Sequence, residues 1–229
     1  GFLDLAVPCY FQNTLMLYKN AGIVGTITAA SFTSRVDLTG LSSVYDAYIG
    51  DMDGDGKNDL TYLLTGTNQL VLRKNIGTVG QFEASMFAPA INFGTSSSPT
   101  KMAIRDLDRD GRNDIVVSNQ STSLLSVYKN NSTGNTITGS ALSSFTLSSA
   151  NNPFGVICAD IDGDGRLDIV HSSSNTSFIS VHRNIGTVGG LNASSFAAKV
   201  DYPAQNGAFG LSEGDLDGDG KTDIVASTY

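Results

Sequence analysis

The segment GDMDGDGKNDL, residues 50–60, carries four aspartates within nine positions. Asp51, Asp53, Asp55 and Asp59 take positions 1, 3, 5 and 9 of this short loop. Carboxylates this close repel one another at neutral pH unless water fully solvates them or a cation lies among them. The segment therefore indicates either a solvated acidic turn or a cation site.

The same loop recurs three more times, which favours a repeated structural unit over a chance acidic run. The copies are DLDRDGRND from Asp106, DIDGDGRLD from Asp160 and DLDGDGKTD from Asp215, at intervals of 55, 54 and 55 residues. Strand-like runs that end in asparagine keep the same period: LMLYKN, LVLRKN, LSVYKN and ISVHRN. The repeats cover approximately 4–58, 59–113, 114–167 and 168–222, followed by the start of a fifth.

Each repeat contains about four short strand candidates separated by Gly, Ser, Asn and Thr, without helical periodicity. Four strands in ~40 to 55 residues are typical of a propeller blade. The sequence therefore predicts an all-β fold, in which residues 1–229 form one β-propeller region of four-stranded blades.

The first residues, GFLDL, align with GKNDL from Gly56, so Asp4 takes the ninth position of a further loop. This alignment predicts a fragment of a longer propeller. A ring closed by a second chain and a self-contained four-repeat assembly are the alternatives. An open array of blades exposes a sheet face and edge, which predicts self-association.

The acidic loops fit calcium, which takes six to eight oxygen ligands in flexible geometry. An EF-hand needs a glutamate at position 12, where these loops have Tyr62, Val117, His171 and Ala226. Magnesium or manganese could also use oxygen ligands, but a rigid octahedron suits a long flexible loop less well. We expect about four Ca²⁺ ions. The expected ligands are the carboxylates at positions 1, 3, 5 and 9 and the backbone carbonyl at position 7: Asp51, Asp53, Asp55, Lys57, Asp59; Asp106, Asp108, Asp110, Arg112, Asp114; Asp160, Asp162, Asp164, Arg166, Asp168; Asp215, Asp217, Asp219, Lys221 and Asp223.

These motifs resemble the FG-GAP and VCBS repeats of integrin-α-like β-propellers. The resemblance rests on the four acidic loops, the DIV or DL strand that follows each, the YKN strand end and two FG dipeptides, Phe154-Gly155 and Phe209-Gly210. The GAP tripeptide is absent and FG is missing ahead of two loops, so the match leans toward the bacterial VCBS style. The resemblance implies an extracellular propeller of seven or eight blades, about three of them outside this chain, with calcium between the first two strands of a blade.

Catalysis, nucleic-acid binding and membrane insertion have little support in the sequence. The histidines, His171 and His182, occupy repeat positions that also accept Tyr, Val and Arg, which indicates packing or surface sites. The motifs G-x-S-x-G and H-E-x-x-H are absent, so we expect no enzyme activity. There is no basic patch for phosphates and no run of eighteen apolar residues. Cys9 and Cys158 are expected to be unpaired.

The loops between strands 2 and 3 and between successive blades are expected on the face opposite the acidic loops. They are rich in amide and hydroxyl side chains, which suit either a ligand-binding surface or inert polar loops. The candidate ligand contacts are Tyr10, Gln12, Asn13, Asn68, Gln69, Asn119, Gln120 and Asn175. We expect a calcium-stabilised, secreted or cell-surface module for adhesion or for binding a protein or carbohydrate. The alternative is an accessory substrate-binding or spacer propeller of a secreted polysaccharide-active enzyme.

Overall fold

The computed structural model describes residues 4–22 and 24–228, which form seventeen β-strands and four 3₁₀ turns. The strands are β1 (Leu5–Cys9), β2 (Thr14–Asn20), β3 (Phe32–Leu38), β4 (Val44–Gly50), β5 (Asp59–Leu64), β6 (Gln69–Arg73), β7 (Ile91–Gly94), β8 (Pro99–Arg105), β9 (Asp114–Asn119), β10 (Leu124–Asn130), β11 (Leu142–Ser148), β12 (Pro153–Ala159), β13 (Asp168–Ser173), β14 (Phe178–His182), β15 (Val200–Pro203), β16 (Ala208–Gly214) and β17 (Asp223–Thr228). The 3₁₀ turns are Tyr10–Gln12, Ala29–Ser31, Ala84–Met86 and Ala193–Ser195. None of these helical turns is long and apolar enough to cross a membrane.

The strands form five antiparallel sheets in chain order, and the four-stranded blade is confirmed. Three sheets are complete: β4 to β7, β8 to β11 and β12 to β15. In the described residues β1, β2 and β3 form a three-stranded sheet, and β16 and β17 pair by themselves. Each complete sheet begins with the strand ahead of an acidic loop, so the blades are out of phase with the repeats 4–58 to 168–222. Sequence periodicity fixes the repeat length, whereas strand pairing fixes where a blade begins.

The second strand of each complete sheet is the most buried part of the fold. No residue of β5, β9 or β13 is more than slightly exposed, because each strand has a paired strand on both sides and packs on both faces. The cores lie between consecutive sheets; Val116 and Ile169, for example, meet in the core between the β8 to β11 and β12 to β15 sheets. Cys158 lies in the same core and Cys9 is partly exposed, and both are free thiols, as expected.

The first strands of successive sheets lie side by side and explain the FG dipeptides. β4 contacts β8, β8 contacts β12 and β12 contacts β16. Ser118 Oγ donates to the carbonyl of Phe154 (2.5 Å), and Ser172 Oγ donates to that of Phe209 (2.9 Å), so a hydroxyl of one blade bonds the next. A side chain at Gly155 would collide with the Phe209 carbonyl, which explains the glycine there.

The two histidines, which the sequence placed at packing or surface sites, are both buried, in β13 and β14. Their ring centroids lie 5.6 Å apart. Both ring nitrogens of His171 and Nε2 of His182 are buried without a hydrogen-bond partner. Burial, with a smaller contribution from His182, lowers the pKa of His171 to about 3, and burial also lowers the pKa of His182. Lys199 and Asp201 are the charged groups that face the pair.

We expect this histidine pair to destabilise the fold in acid. A folded pKa below the unfolded value near 6.5 leaves stability intact above pH 6.5 and removes it as the pH falls toward 3. The loss from His171 alone is about 2 kcal/mol at pH 5. Urea unfolding at pH 7.5 and pH 5 measures it. His171→Val, which copies Val117 of the preceding repeat, should show a smaller difference between the two pH values; an unchanged difference would contradict the assignment.

Candidate metal centres

Four acidic loops join the first and second strands of the sheets, at β4–β5, β8–β9, β12–β13 and β16–β17. In each loop the carboxylates at positions 1, 3 and 9 converge, with one ligand atom from each lying within 4.8 Å of the others. The convergent groups are Asp51, Asp53 and Asp59; Asp106, Asp108 and Asp114; Asp160, Asp162 and Asp168; and Asp215, Asp217 and Asp223. Each group could hold a metal ion.

The first aspartate folds the loop around its own carboxylate. Asp51 Oδ1 accepts from the backbone N–H of Gly54 (2.7 Å), and its Oδ2 accepts from that of Gly56 (2.8 Å). Asp160 makes the same pair of bonds to Gly163 and Gly165. The sixth position has φ of 83° at Gly56, a left-handed conformation that glycine adopts without strain. The turn thus brings successive backbone N–H groups onto one carboxylate.

The ninth aspartate braces the loop against the third strand. Asp59 Oδ2 accepts from the N–H of Met52 (2.9 Å), and Oδ1 accepts from the N–H of Asn75 (2.8 Å). Asp114 and Asp168 repeat both bonds in their own sheets. The sequence predicted a metal ligand here and gave no indication of this brace. All three carboxylates are buried.

The buried carboxylates fit a cation. Burial raises the pKa of Asp59 to about 6 and that of Asp114 to about 7, because a charged carboxylate loses hydration there. Asp108 Oδ1 is buried in its group and accepts no hydrogen bond. An orphaned carboxylate oxygen among convergent carboxylates is the kind of donor that a hard divalent ion uses. The side chains at positions 1, 3 and 9 would therefore hold a metal ion.

The fifth aspartate differs from the expected ligand set, because it lies outside the convergent groups; like the third aspartate, it also pairs with basic side chains. Asp55 Oδ2 accepts from Lys74 Nζ (2.6 Å), which lowers the pKa of Asp55. Asp110 Oδ2 accepts from Nη2 of Arg112 (2.5 Å) and from Lys129 Nζ (3.2 Å). The metal-ligand role of position 5 and of the position 7 carbonyl stays a prediction.

Sequence reasoning missed the basic residue that precedes the strand-end asparagine. The available signal was its recurrence with the repeat: Lys19, Lys74, Lys129 and Arg183. In the three complete sheets its side chain reaches the acidic loop.

Comparison with known families agrees with the repeat. A family model described as the FG-GAP-like repeat matches residues 51–117 and 106–171, which together cover more than half of the chain. The chain belongs to the FG-GAP-like repeat family. The match does not separate the bacterial VCBS style from other members, so that style stays a prediction.

Two solved structures are similar to the FG-GAP-like chain in fold. Both are crystal structures of BBS1N in complex with ARL6DN, one soaked with lead and one with mercury. The first has 12% identity and a TM-score of 0.56, with 97% of this chain covered; the second has 11% identity, a TM-score of 0.58 and 98% coverage. The chain spans 58% of each of those chains. No curated protein matches the chain. Identities this low show the β-propeller fold alone.

The candidate ligand contacts of the FG-GAP-like chain differ in their exposure and in the bonds that they make within the fold. Asn119 is fully buried, and its Nδ2 donates to the carbonyl of Leu124 and to Ser126 Oγ, so it cannot reach a ligand. Asn13 and Asn68 adopt φ of 53° and accept the N–H of the next blade's first turn through Oδ1. Gln69 is partly buried and accepts from Thr67, and Gln120 is partly buried. The exposed members are Tyr10, Gln12, Asn13, Asn68 and Asn175, of which Asn13 and Asn68 already accept a backbone N–H through Oδ1.

Aromatic rings form a continuous row on this face, across several repeats. Ring centroids lie 5.1 Å apart for Tyr10 and Phe11, 5.5 Å for Tyr10 and Tyr45, 6.1 Å for Tyr45 and Phe154, and 4.8 Å for Phe154 and Phe209. All four pairs meet edge to face. The sequence pointed to Tyr10 alone, because Tyr45 and Phe154 are distant along the chain and meet only when blades assemble.

We expect the ninth aspartate to contribute more stability than the fifth, even with a chelator present. Asp114→Ala leaves two buried N–H groups without an acceptor and should lower the free energy of unfolding by about 2–4 kcal/mol. Asp110→Ala breaks ion pairs of partly exposed cations and should cost less than about 1 kcal/mol. Urea unfolding in EDTA compares the two variants. Equal losses would show that the brace is not a major source of stability.

Proposed function

We propose that this FG-GAP-like chain is a calcium-stabilised, extracellular β-propeller that binds a protein or glycan ligand without catalysing a reaction. The observation that carries the binding role is the aromatic row of Tyr10, Phe11, Tyr45, Phe154 and Phe209. It lies among the loops between strands 2 and 3 and between blades, away from the acidic loops. The two faces therefore have different roles, ligand binding at the aromatic row and calcium binding at the acidic loops.

Calcium is the ion that the acidic loops suit best. Their donors are oxygens only, and a loop of nine residues adapts to a large ion with variable coordination more readily than to a strict octahedron. The loops also lie where blades meet: the Met52 carbonyl accepts from Nδ2 of Asn130 (2.8 Å) and from Ser132 Oγ (3.1 Å) of the next blade. When bound, the ion would neutralise the carboxylates; the chain itself supplies the carboxylate cage and its attachment to the next blade.

Calcium loops with affinities of about 10⁻⁴ to 10⁻³ M are filled outside cells and largely empty in the cytosol. An affinity in this range for the acidic loops would match the secreted or cell-surface location that we propose.

Calcium should raise the melting temperature of the chain. Each site that binds only the folded form adds about 1.4 kcal/mol at a tenfold excess over Kd. Several filled sites should raise the melting temperature by ~5 °C or more in a chain of this size. Differential scanning calorimetry in calcium, in magnesium and in EDTA tests this. Equal melting temperatures in calcium and EDTA would refute the calcium role, and an equal rise with magnesium would refute the preference for calcium.

The binding face combines exposed rings with amide groups. Phe11 is 93% exposed and Tyr10 is 38% exposed, whereas aromatic rings of this size are usually more deeply buried. Gln12 and Asn175 are exposed and offer both donors and acceptors. Rings that cover apolar ligand surface beside amides that fix its orientation are typical of protein and glycan recognition.

Removing the exposed rings should weaken ligand capture strongly. We would screen the wild-type chain on a glycan array and in an extracellular-protein pull-down, each with calcium and with EDTA. Phe11→Ala combined with Tyr10→Ala should reduce capture at least tenfold, because truncation of an aromatic anchor at an interface costs about 2 kcal/mol or more. Val79→Ala, an exposed apolar residue in the loop between β6 and β7, is the matched control and should bind normally.

Two outcomes would contradict this part of the proposal. Equal loss in the Val79→Ala control would place binding elsewhere. Absence of any ligand for the wild-type chain in both assays would favour a purely structural propeller.

A further inference from the structure

In two sheets a lysine at the end of the third strand connects the acidic loop to the following blade. Lys129 Nζ contacts Asp108 and Asp110 of its own sheet and donates to the Gly189 carbonyl of the next (3.1 Å). Its side chain is 14% exposed. All three ammonium protons therefore have acceptors, two of them charged.

The same geometry recurs in the preceding sheet. Lys74 Nζ contacts Asp53 and Asp55 and donates to the Asn135 carbonyl of the next blade (2.8 Å). In the sheet of β12 to β15, Arg183 contacts Asp162 and Asp164 instead. The positions correspond in the repeat, so the contact belongs to the blade design rather than to one loop.

The lysine and a metal ion would share one carboxylate. The third-position aspartates, Asp53 and Asp108, belong to the convergent groups and also contact Lys74 and Lys129. The other oxygen of Asp108 is buried without a partner, so the shared carboxylate has a donor left for an ion. A positive charge bound to the same carboxylate repels a divalent ion and reduces the net negative charge of the loop.

We propose that Lys74 and Lys129 are internal cations that weaken the metal affinity of their loops and tie those loops to the next blade. The lysine stabilises the carboxylates and the junction between blades by itself, and it opposes a divalent ion at the same carboxylate. Metal affinity and blade cohesion are therefore set by one side chain. This inference rests on the metal binding of the proposed function.

The test uses Lys74→Met/Lys129→Met, which removes both charges, and Lys74→Arg/Lys129→Arg, which retains them. Lys199→Met is the control, because Lys199 pairs with Asp201 outside the acidic loops. Calorimetric titration with Ca²⁺ alone should give the methionine variant about tenfold tighter binding at two loops, the size of one screened charge interaction. The arginine variant keeps the positive charge, as Arg183 does at the corresponding position, and should stay within about threefold of the wild type.

The melting temperature is a second measurement, and the methionine substitutions should affect it differently in EDTA and in calcium. In EDTA the methionine variant should melt lower than the wild type, because the carboxylates lose their cation and the next blade loses its donor. In saturating calcium the difference should shrink or reverse. A purely structural lysine would lower the melting temperature equally in both conditions and leave the calcium Kd unchanged, and that result would overturn the inference.

The two proposals fail in different ways. If the wild-type chain and all variants bind no calcium, both the calcium role and this inference are wrong. If they bind calcium with equal Kd, the calcium role stands and the lysine inference alone is wrong.

Discussion

The buried carboxylate at the ninth loop position is the interaction on which the rest of each blade depends. One oxygen of Asp114 accepts the N–H of Leu107 in the acidic loop, and the other accepts the N–H of Asn130 at the end of β10. These bonds fix the loop, the second strand and the third strand relative to one another. Because the carboxylate is buried, any failure to pair it would leave a desolvated charge and two unsatisfied donors, which is far more costly than losing a surface ion pair.

The strand-end asparagine extends this arrangement to the neighbouring blade. Asn184 Nδ2 donates to the Leu107 carbonyl, and the N–H of Gly189 donates to the Asp108 carbonyl, so the β8–β9 loop is held by the blade that follows it, as the β4–β5 loop is held through Met52. Lys129 connects the same two blades through its ammonium group, which contacts Asp108 and donates to the Gly189 carbonyl. The candidate metal centres of these two loops therefore lie at the junctions between blades, where an ion could act on blade packing as well as on its own loop.

On the opposite face, asparagine side chains bond to the backbone of the next blade, and several aromatic and amide side chains are exposed to solvent. Asn13 and Asn68 satisfy the backbone of the next blade's first turn, and Asn119 is fully enclosed. The sequence predicted these three amides as ligand contacts, but in the structure their side chains form hydrogen bonds within the fold. The exposed aromatic rings Tyr10 and Phe11 carry the stronger case for recognition, since their burial by a ligand would remove apolar surface from water.

The sequence by itself determined the repeat, the four-stranded blade, the acidic hairpin loops and the family, because these depend on local spacing and strand alternation. It also indicated that His171 and His182 are packing or surface residues, since equivalent repeat positions hold Tyr, Val and Arg. Only the tertiary structure separated Asp55 from the converging carboxylates, paired Lys74 with the loop, buried Asn119 and joined Tyr45 to Phe154. Each of these depends on contacts between strands or between blades, and periodicity along one chain cannot specify which side chains meet across such a junction.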